Sequence, residues 1–336
     1  MNSKELARLI GVSQSTISRA LNGSPQISEQ RRQEIMELAK KHNFEFNQNA
    51  RNLRNQTSNF VGILLPTYFS SFIRDDYRSI QFNYLYEELA KQDLDPILLN
   101  GAELFNDVPA LERAIKKRQL AGLILWGRIE NDEVIEYLKG LKIPIFAMTR
   151  PNEKMKFLPS VSVDSYGIGY VMGEHFAQRG YRRIGTIRLR GLEAGLLITR
   201  GFSDALMKKG IEIREEDIYE VELDYQAVYD LVSDRIDRMR TYEAIFAQND
   251  TMALGTLSAL KDSGLSIPGD IAVAGNNATP VSQWCSPRLT TVQPYLKQQA
   301  ELTCRRIVSM IREGVDPMAE KHCVIKPGLL VRESCP

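Results

Sequence analysis

The sequence predicts a small all-α head followed by an α/β core of two doubly wound lobes. Three observations carry that expectation. Residues 1–46 hold three short amphipathic segments and no strand pattern. From Phe60 onward, short apolar runs alternate with helical stretches, which implies parallel sheets covered on both faces. The alternation comes as two successive series, before and after VSVDS (Val161–Ser165), and so implies two sheets rather than one.

Composition sets the outer limits. A chain of 336 residues that is 43% hydrophobic and 25% charged can bury a sizeable core, and a disordered protein is excluded. The N-terminal MNSKELARLIGVSQS has no apolar core or cleavage pattern of a signal peptide, and no run of about 18 apolar residues occurs. Four cysteines, Cys285, Cys304, Cys323 and Cys335, lack CxxC spacing and read as free thiols. A cytoplasmic protein is expected.

The net charge of +1 argues against a nucleic-acid binder only until it is divided by position. Residues 1–59 carry nine basic and five acidic side chains, a net of +4, which leaves −3 for the rest. Such asymmetry points to an appended nucleic-acid or membrane module.

Helix signals choose between the two. Asn2 with Glu5 is a capping-box start, and Leu6, Ala7 and Ile10 then share a helical face. Gly11 supplies the turn. Ser13 can cap a second helix with apolar Ile17, Ala20 and Leu21, ending at Asn22-Gly23. Ser28 can cap a third with Ile35, Leu38 and Ala39. Ala7, Gly11 and Ile17, spaced A-x3-G-x5-I, let two helices meet at a tight bend, and the result is a helix-turn-helix. The second helix of such a domain enters the major groove. Gln14, Ser15 and Arg19 then face base edges, while Ser13, Thr16, Ser18 and Asn22 suit phosphates.

In the core, FVGILL, DPILL, GLILW and IPIFAM are strands interleaved with helices at 77–92, 107–118 and 131–140. RRIGTI, DIYEVEL, AIFAQ and IAVAG follow, with helices near 166–179, 200–209, 225–239 and 250–263. Ligands of such folds bind beyond the carboxyl ends of the strands, so the cleft between lobes is the expected pocket. Asp250, after AIFAQN, reads as the cap of the next helix.

GVSQSTISRALNG (Gly11–Gly23), followed by ISEQRRQEIMELAKKHNFEFNQNARNLR, closely resembles the LacI/GalR family of bacterial transcription regulators. Further matches are RGYRRIGTI (Arg179–Ile187), GFSDALMKKGI (Gly201–Ile211), Ile245–Gly275, SPRLTTV (Ser286–Val292) and LLVRES (Leu329–Ser334). The resemblance covers essentially the whole chain. It implies a periplasmic-binding-protein-like core in which the chain crosses between lobes near 160, 288 and 322. The domains are then the helix-turn-helix at 1–46, a hinge or linker at 47–59, one lobe of 60–159 plus about 289–321, and another of 160–288 plus about 322–336.

The same resemblance assigns the hinge. Leu53 wedges into the minor groove, Ala50 packs on the partner hinge, and Arg51 and Arg54 flank them; the bent DNA offsets the cost of unstacking. Effector residues by position are Tyr77, Arg78, Asp164, Tyr225, Asn249, Asn277 and Trp284. Two departures weaken a simple hexose as effector. Ile198 stands where sugar-responsive members have Arg, and Asn277 replaces an Asp.

The expected function is a repressor of sugar or glycoside catabolism or transport genes, acting as a homodimer on operator DNA. Its effector is a sugar or glycoside; no metal or other cofactor is expected. The dimer follows from an end two residues after LLVRES, with no heptad segment for tetramers. The alternatives are a transport-type sugar-binding protein and a regulator with a non-sugar effector. Catalysis is not expected: His42, His175 and His322 are far apart in sequence, and no P-loop or acid/base constellation occurs. GIGYVMG (Gly167–Gly173) has the wrong spacing for a phosphate loop.

Overall fold

The computed structural model describes residues 3–21, 26–42, 58–65, 76–317 and 320–336. The chain divides into two compact units, Met1–Ser58 and Asn59–Pro336.

In the first unit α1 (Ser3–Ile10), α2 (Gln14–Leu21) and α3 (Glu29–Lys41) follow the predicted segments. Gly11 ends α1 with φ +73°, a left-handed conformation that costs glycine little, and Val12 N–H returns to Ala7 O at 3.0 Å. The Ser13 hydroxyl accepts from Thr16 N at 3.1 Å, and Ser28 from Arg31 N at 3.4 Å, so both predicted caps form. Asn2 lies outside the described residues. Leu6, Ala7, Ile17, Ala20, Ile35 and Ala39 meet as the core of this unit.

The second unit contains two six-stranded sheets. Sheet one runs β11-β5-β4-β3-β1-β2, built from β1 (Phe60–Leu65), β2 (Asp95–Asn100), β3 (Gly122–Leu125), β4 (Ile145–Ala147), β5 (Ser160–Val163) and β11 (His322–Ile325). Sheet two runs β12-β10-β9-β8-β6-β7, from β6 (Ile184–Leu189), β7 (Ile218–Val221), β8 (Ala244–Ala247), β9 (Ala272–Asn276), β10 (Thr290–Gln293) and β12 (Gly328–Leu330). Every pairing is parallel except β10 with β12. Central strands are buried on both faces, which is why they read as continuous apolar runs. Successive residues serve opposite cores: Ile63 and Ile124 pack on one face of sheet one, Leu64, Leu123 and Leu125 on the other.

The crossings between lobes differ from the predicted 160, 288 and 322. Ser160–Val163 pairs with His322–Ile325 in sheet one, and Thr290–Gln293 pairs with Ala274–Asn276 in sheet two. The chain therefore changes lobes at Asp164, at Pro294–Tyr295 and at Lys326–Pro327, four to seven residues later than expected. A strand's pattern shows that it is a strand but not which sheet it joins, so the predicted boundaries fell before these three strands instead of after them.

Helix Leu296–Glu313 was not among the predicted helices, because its inner face is not purely apolar. Ala300, Cys304, Ile307 and Val308 enter the first lobe's core, but Gln299, Thr303 and Arg306 are buried beside them. Gln299 Nε2 donates to Met148 O at 3.0 Å and Val161 O at 2.9 Å. Arg306 is 0% exposed. Its guanidinium grips Asp316 with two nitrogens, donates to Ser160 O and Lys321 O at 3.0 Å, and lies 5.0 Å from the Phe146 ring centroid.

In GIGYVMG, Gly169 lets helix Ser165–Arg179 touch helix Glu193–Met207 backbone to backbone; a Cβ there would lie 1.8 Å from Ile198 O. The motif is a packing device.

Removing Arg306 would leave Asp316 and the β5 carbonyl without their buried donor. Arg306→Ala is expected to lower stability by about 3–5 kcal/mol, read as a fall in the urea midpoint at unchanged m-value.

Candidate functional site

On α2 the buried Ile17 and Ala20 fix which side faces out: Gln14, Ser15 and Arg19 are exposed. Ser13 Oγ lies 2.7 Å from Ser15 Oγ and 2.8 Å from Thr16 Oγ1, so three of the predicted DNA-contacting hydroxyls form one cluster at the helix start. The side chain of Ser18, and Asn22, Ala50, Arg51, Leu53 and Arg54 altogether, lie outside the described residues.

In the core a cavity of about 630 Å³ is lined from the first lobe by Ile80, Tyr84 and Leu296, and from the second by Asn277, Trp284 and Gln293. Trp284 is 79% exposed. Asn277 and Ala278 both take left-handed backbone, φ 111° and 51°, which is costly without glycine. Asn277 N donates to Val292 O at 2.9 Å, and Ala278 N donates to Thr291 Oγ1 at 3.2 Å.

That turn is held from beneath by Asp250. Its buried carboxylate accepts from Thr291 Oγ1 at 2.6 Å, Thr279 N at 2.7 Å and Thr279 Oγ1 at 2.9 Å. Burial pushes its pKa up to about 6, against the pull of those three donors. Asn249 takes the capping role expected of Asp250: its Oδ1 accepts from Thr251 N at 2.8 Å. Asp250 does not cap because the helix begins at Asp250, which puts its side chain inside.

At the carboxyl ends of β8 and β9, Gln248 and Asn276 are buried. Gln248 Nε2 donates to Thr199 Oγ1 at 2.8 Å, and Asn276 Nδ2 to Gln248 O at 3.2 Å. Gln248 Oε1 and Asn276 Oδ1 have no hydrogen-bond partner among the described residues. Buried polar atoms normally find one, so these two oxygens are exceptions at the strand ends, enclosed within the second lobe. No group of three or more His, Cys, Asp or Glu that could hold a metal occurs among the described residues.

Comparison with known proteins bears directly on this architecture. The lacI family of bacterial regulatory proteins matches residues 3–47, and a periplasmic binding protein-like domain matches 174–335. The HTH-type transcriptional regulator MalR of Clostridium butyricum is 27% identical over 100% of this chain and 99% of its own length. The chain belongs to the LacI/GalR family of bacterial transcription regulators. Among solved structures, the lac repressor dimer bound to operator and the anti-inducer ONPF shares the fold at TM-score 0.78 and 17% identity, covering 100% of this chain and 99% of that one. The CelR–cellobiose complex shares it at 0.72 and 22%, covering 99% of both. Like its relatives, this LacI/GalR chain is a DNA-binding transcriptional regulator and not an enzyme.

Of the effector residues expected from the family, Asn277 and Trp284 line the cavity; the other five do not. Tyr77 and Arg78 lie on helix Asp76–Ala90, about one turn before Ile80 and two before Tyr84. Tyr225, 40% exposed, stacks on Tyr229 with ring centroids 6.5 Å apart. Asp164 caps helix Ser165–Arg179 through Gly167 N at 2.9 Å and accepts from Lys326 Nζ at 2.7 Å, so it ties two of the lobe crossings together. Ile198 is buried in the second lobe's core, while Arg200 points outward beside Asp204 at 3.9 Å. Gln248 and Asn276 each stand one residue before the expected Asn249 and Asn277, and a strand-end pattern does not distinguish neighbours in sequence.

Asp250 also makes a pH prediction. Its folded pKa near 6 stands above the unfolded value near 4, so the folded state holds the extra proton between them. Stability is expected to fall as pH rises from about 4 to about 6, by about 3 kcal/mol relative to Asp250→Asn, in paired urea titrations.

Proposed function

We propose that this regulator represses genes for sugar or glycoside use, as a cytoplasmic homodimer that places one α2 in the major groove of each half of a pseudo-palindromic operator. The observation that carries the DNA half is the exposed row Gln14, Ser15 and Arg19, backed by buried Ile17 and Ala20 on a head of net charge +4. Gln suits adenine and Arg suits guanine in the groove, while Ser13, Thr16, Ser18 and Asn22 meet phosphates. Ala50, Arg51, Leu53 and Arg54 form the hinge, with Leu53 as the minor-groove wedge.

The effector is a sugar or glycoside held between the lobes. The cavity's amide side chains Asn277 and Gln293 and the exposed Trp284 beside them support a hydroxyl-rich guest with an apolar face. The CelR relative is a cellobiose complex. Effector binding shifts the population between operator-binding and released states and needs unequal affinity for the two.

Arg19→Ala is expected to relax base preference at one position of each half-site by about 1–3 kcal/mol in a randomised-operator selection. Unchanged specificity would remove Arg19 from the readout. Leu53→Ala should reduce operator bending in a circular-permutation gel assay while leaving the melting temperature unaltered; undiminished bending refutes the wedge.

A further inference from the structure

The loops that follow β3 and β4 each carry an arginine within electrostatic reach of the other. Leu125 and Ala147 are paired in register, and Arg128 and Arg150 each stand three residues beyond their paired position. The Thr149 hydroxyl reaches Gly127 O at 3.5 Å, and Asn152 Nδ2 donates to Ile129 O at 3.2 Å and Glu130 Oε1 at 3.1 Å, so the two loops leave the sheet together. Burial holds the Arg128 guanidinium below the usual arginine range; Arg150 adds to that lowering, and Glu130 opposes it.

The partners of this pair are unequal. Arg128 pairs with Glu193, the first residue of helix Glu193–Met207, which belongs to the opposite lobe. Arg150 is exposed and has neither a hydrogen bond nor an ion pair among the described residues. Asp164 interacts with Arg150 through space, but its oxygens already serve Gly167 N and Lys326. Glu130 is taken by Asn152. The first lobe thus offers two neighbouring cations where it meets the second, and Glu130 and Asp164 act on them only through space.

We propose that Arg128 and Arg150 form an anion clamp, so that the effector is an anionic sugar derivative whose carboxylate or phosphate takes the place of Glu193. The inference rests on the reading of the cleft as the effector site. Planar guanidiniums give carboxylate and phosphate oxygens paired hydrogen bonds of fixed geometry, which a neutral hydroxyl does not match. A neutral sugar would leave Arg150 unmatched. An anion would use both arginines and release the carboxylate that the second lobe supplies.

The test uses the full-length protein and isothermal titration with glucose 6-phosphate, glucuronate, glucose and inorganic phosphate, against chloride at equal ionic strength. Phosphate or a charged sugar is expected to bind, with Arg150→Gln weakening it at least tenfold. Glu193→Gln should tighten the same anion several-fold, since it removes the competing carboxylate; a merely structural role would give no gain. Preference for glucose 6-phosphate over glucuronate assigns the anion as phosphate, and the reverse assigns carboxylate. Anion binding that both variants leave unchanged overturns the clamp, as does phosphate binding no better than chloride. Glucose binding without any anion binding overturns the clamp and leaves the sugar-effector reading intact. Phosphate binding that responds to both variants, with no sugar bound, upholds the clamp and sinks that reading.

Discussion

The buried guanidinium of Arg306 is the interaction on which the first lobe depends. That lobe is assembled from pieces far apart in sequence, and helix Leu296–Glu313 reaches it only after the chain has built most of the second lobe. Arg306 ties that helix to the middle of β4 through the Phe146 ring, to β5 through Ser160 O, and to the approach to β11 through Lys321 O. Asp316 neutralises it. Gln299 repeats the device two turns earlier, on Met148 O and Val161 O. Directional bonds of this kind specify which strands the returning helix covers, where greasy contact alone would accept several registers.

The cleft draws on the same economy of buried polar groups, used for a different end. Asp250 is satisfied three times over, and it fixes the strained turn at Asn277 and Ala278 from below. Gln248 and Asn276 are only half satisfied, each donating inward while its buried oxygen has no partner among the described residues. The contrast lies within a few residues: one network is complete and fixes the turn, and the other leaves two acceptors unused.

Much of the architecture was legible in the sequence. Ser13 and Ser28 cap their helices because a hydroxyl before an apolar periodic run has few other uses, and the FVGILL and AIFAQ runs are strands because both their faces are buried. What stayed hidden depends on contacts distant in sequence. The buried face of helix Leu296–Glu313 carries Arg306 and Gln299, which break the apolar period, so the helix left no clear trace. Sheet membership of β5, β10 and β11 is a matter of pairing partners and not of pattern. The site was half legible: Asn277 and Trp284 reach the cavity, whereas Arg128, Arg150 and Glu193 matter through register and through the meeting of two lobes, neither of which a linear reading contains.

The lobes are joined by three short crossings, and Lys326 on the third is clasped to Asp164 on the first. Three tethers, two of them linked by a solvent-facing ion pair, hinder sliding of one lobe on the other more than bending. Cleft opening is thereby reduced to a single coordinate, a jaw angle. A ligand anywhere between the lobes can act only by choosing a position along that angle. Chemically unlike guests would then be read out as the same mechanical quantity, so that the pocket could change its taste over evolution without the transmission having to be rebuilt.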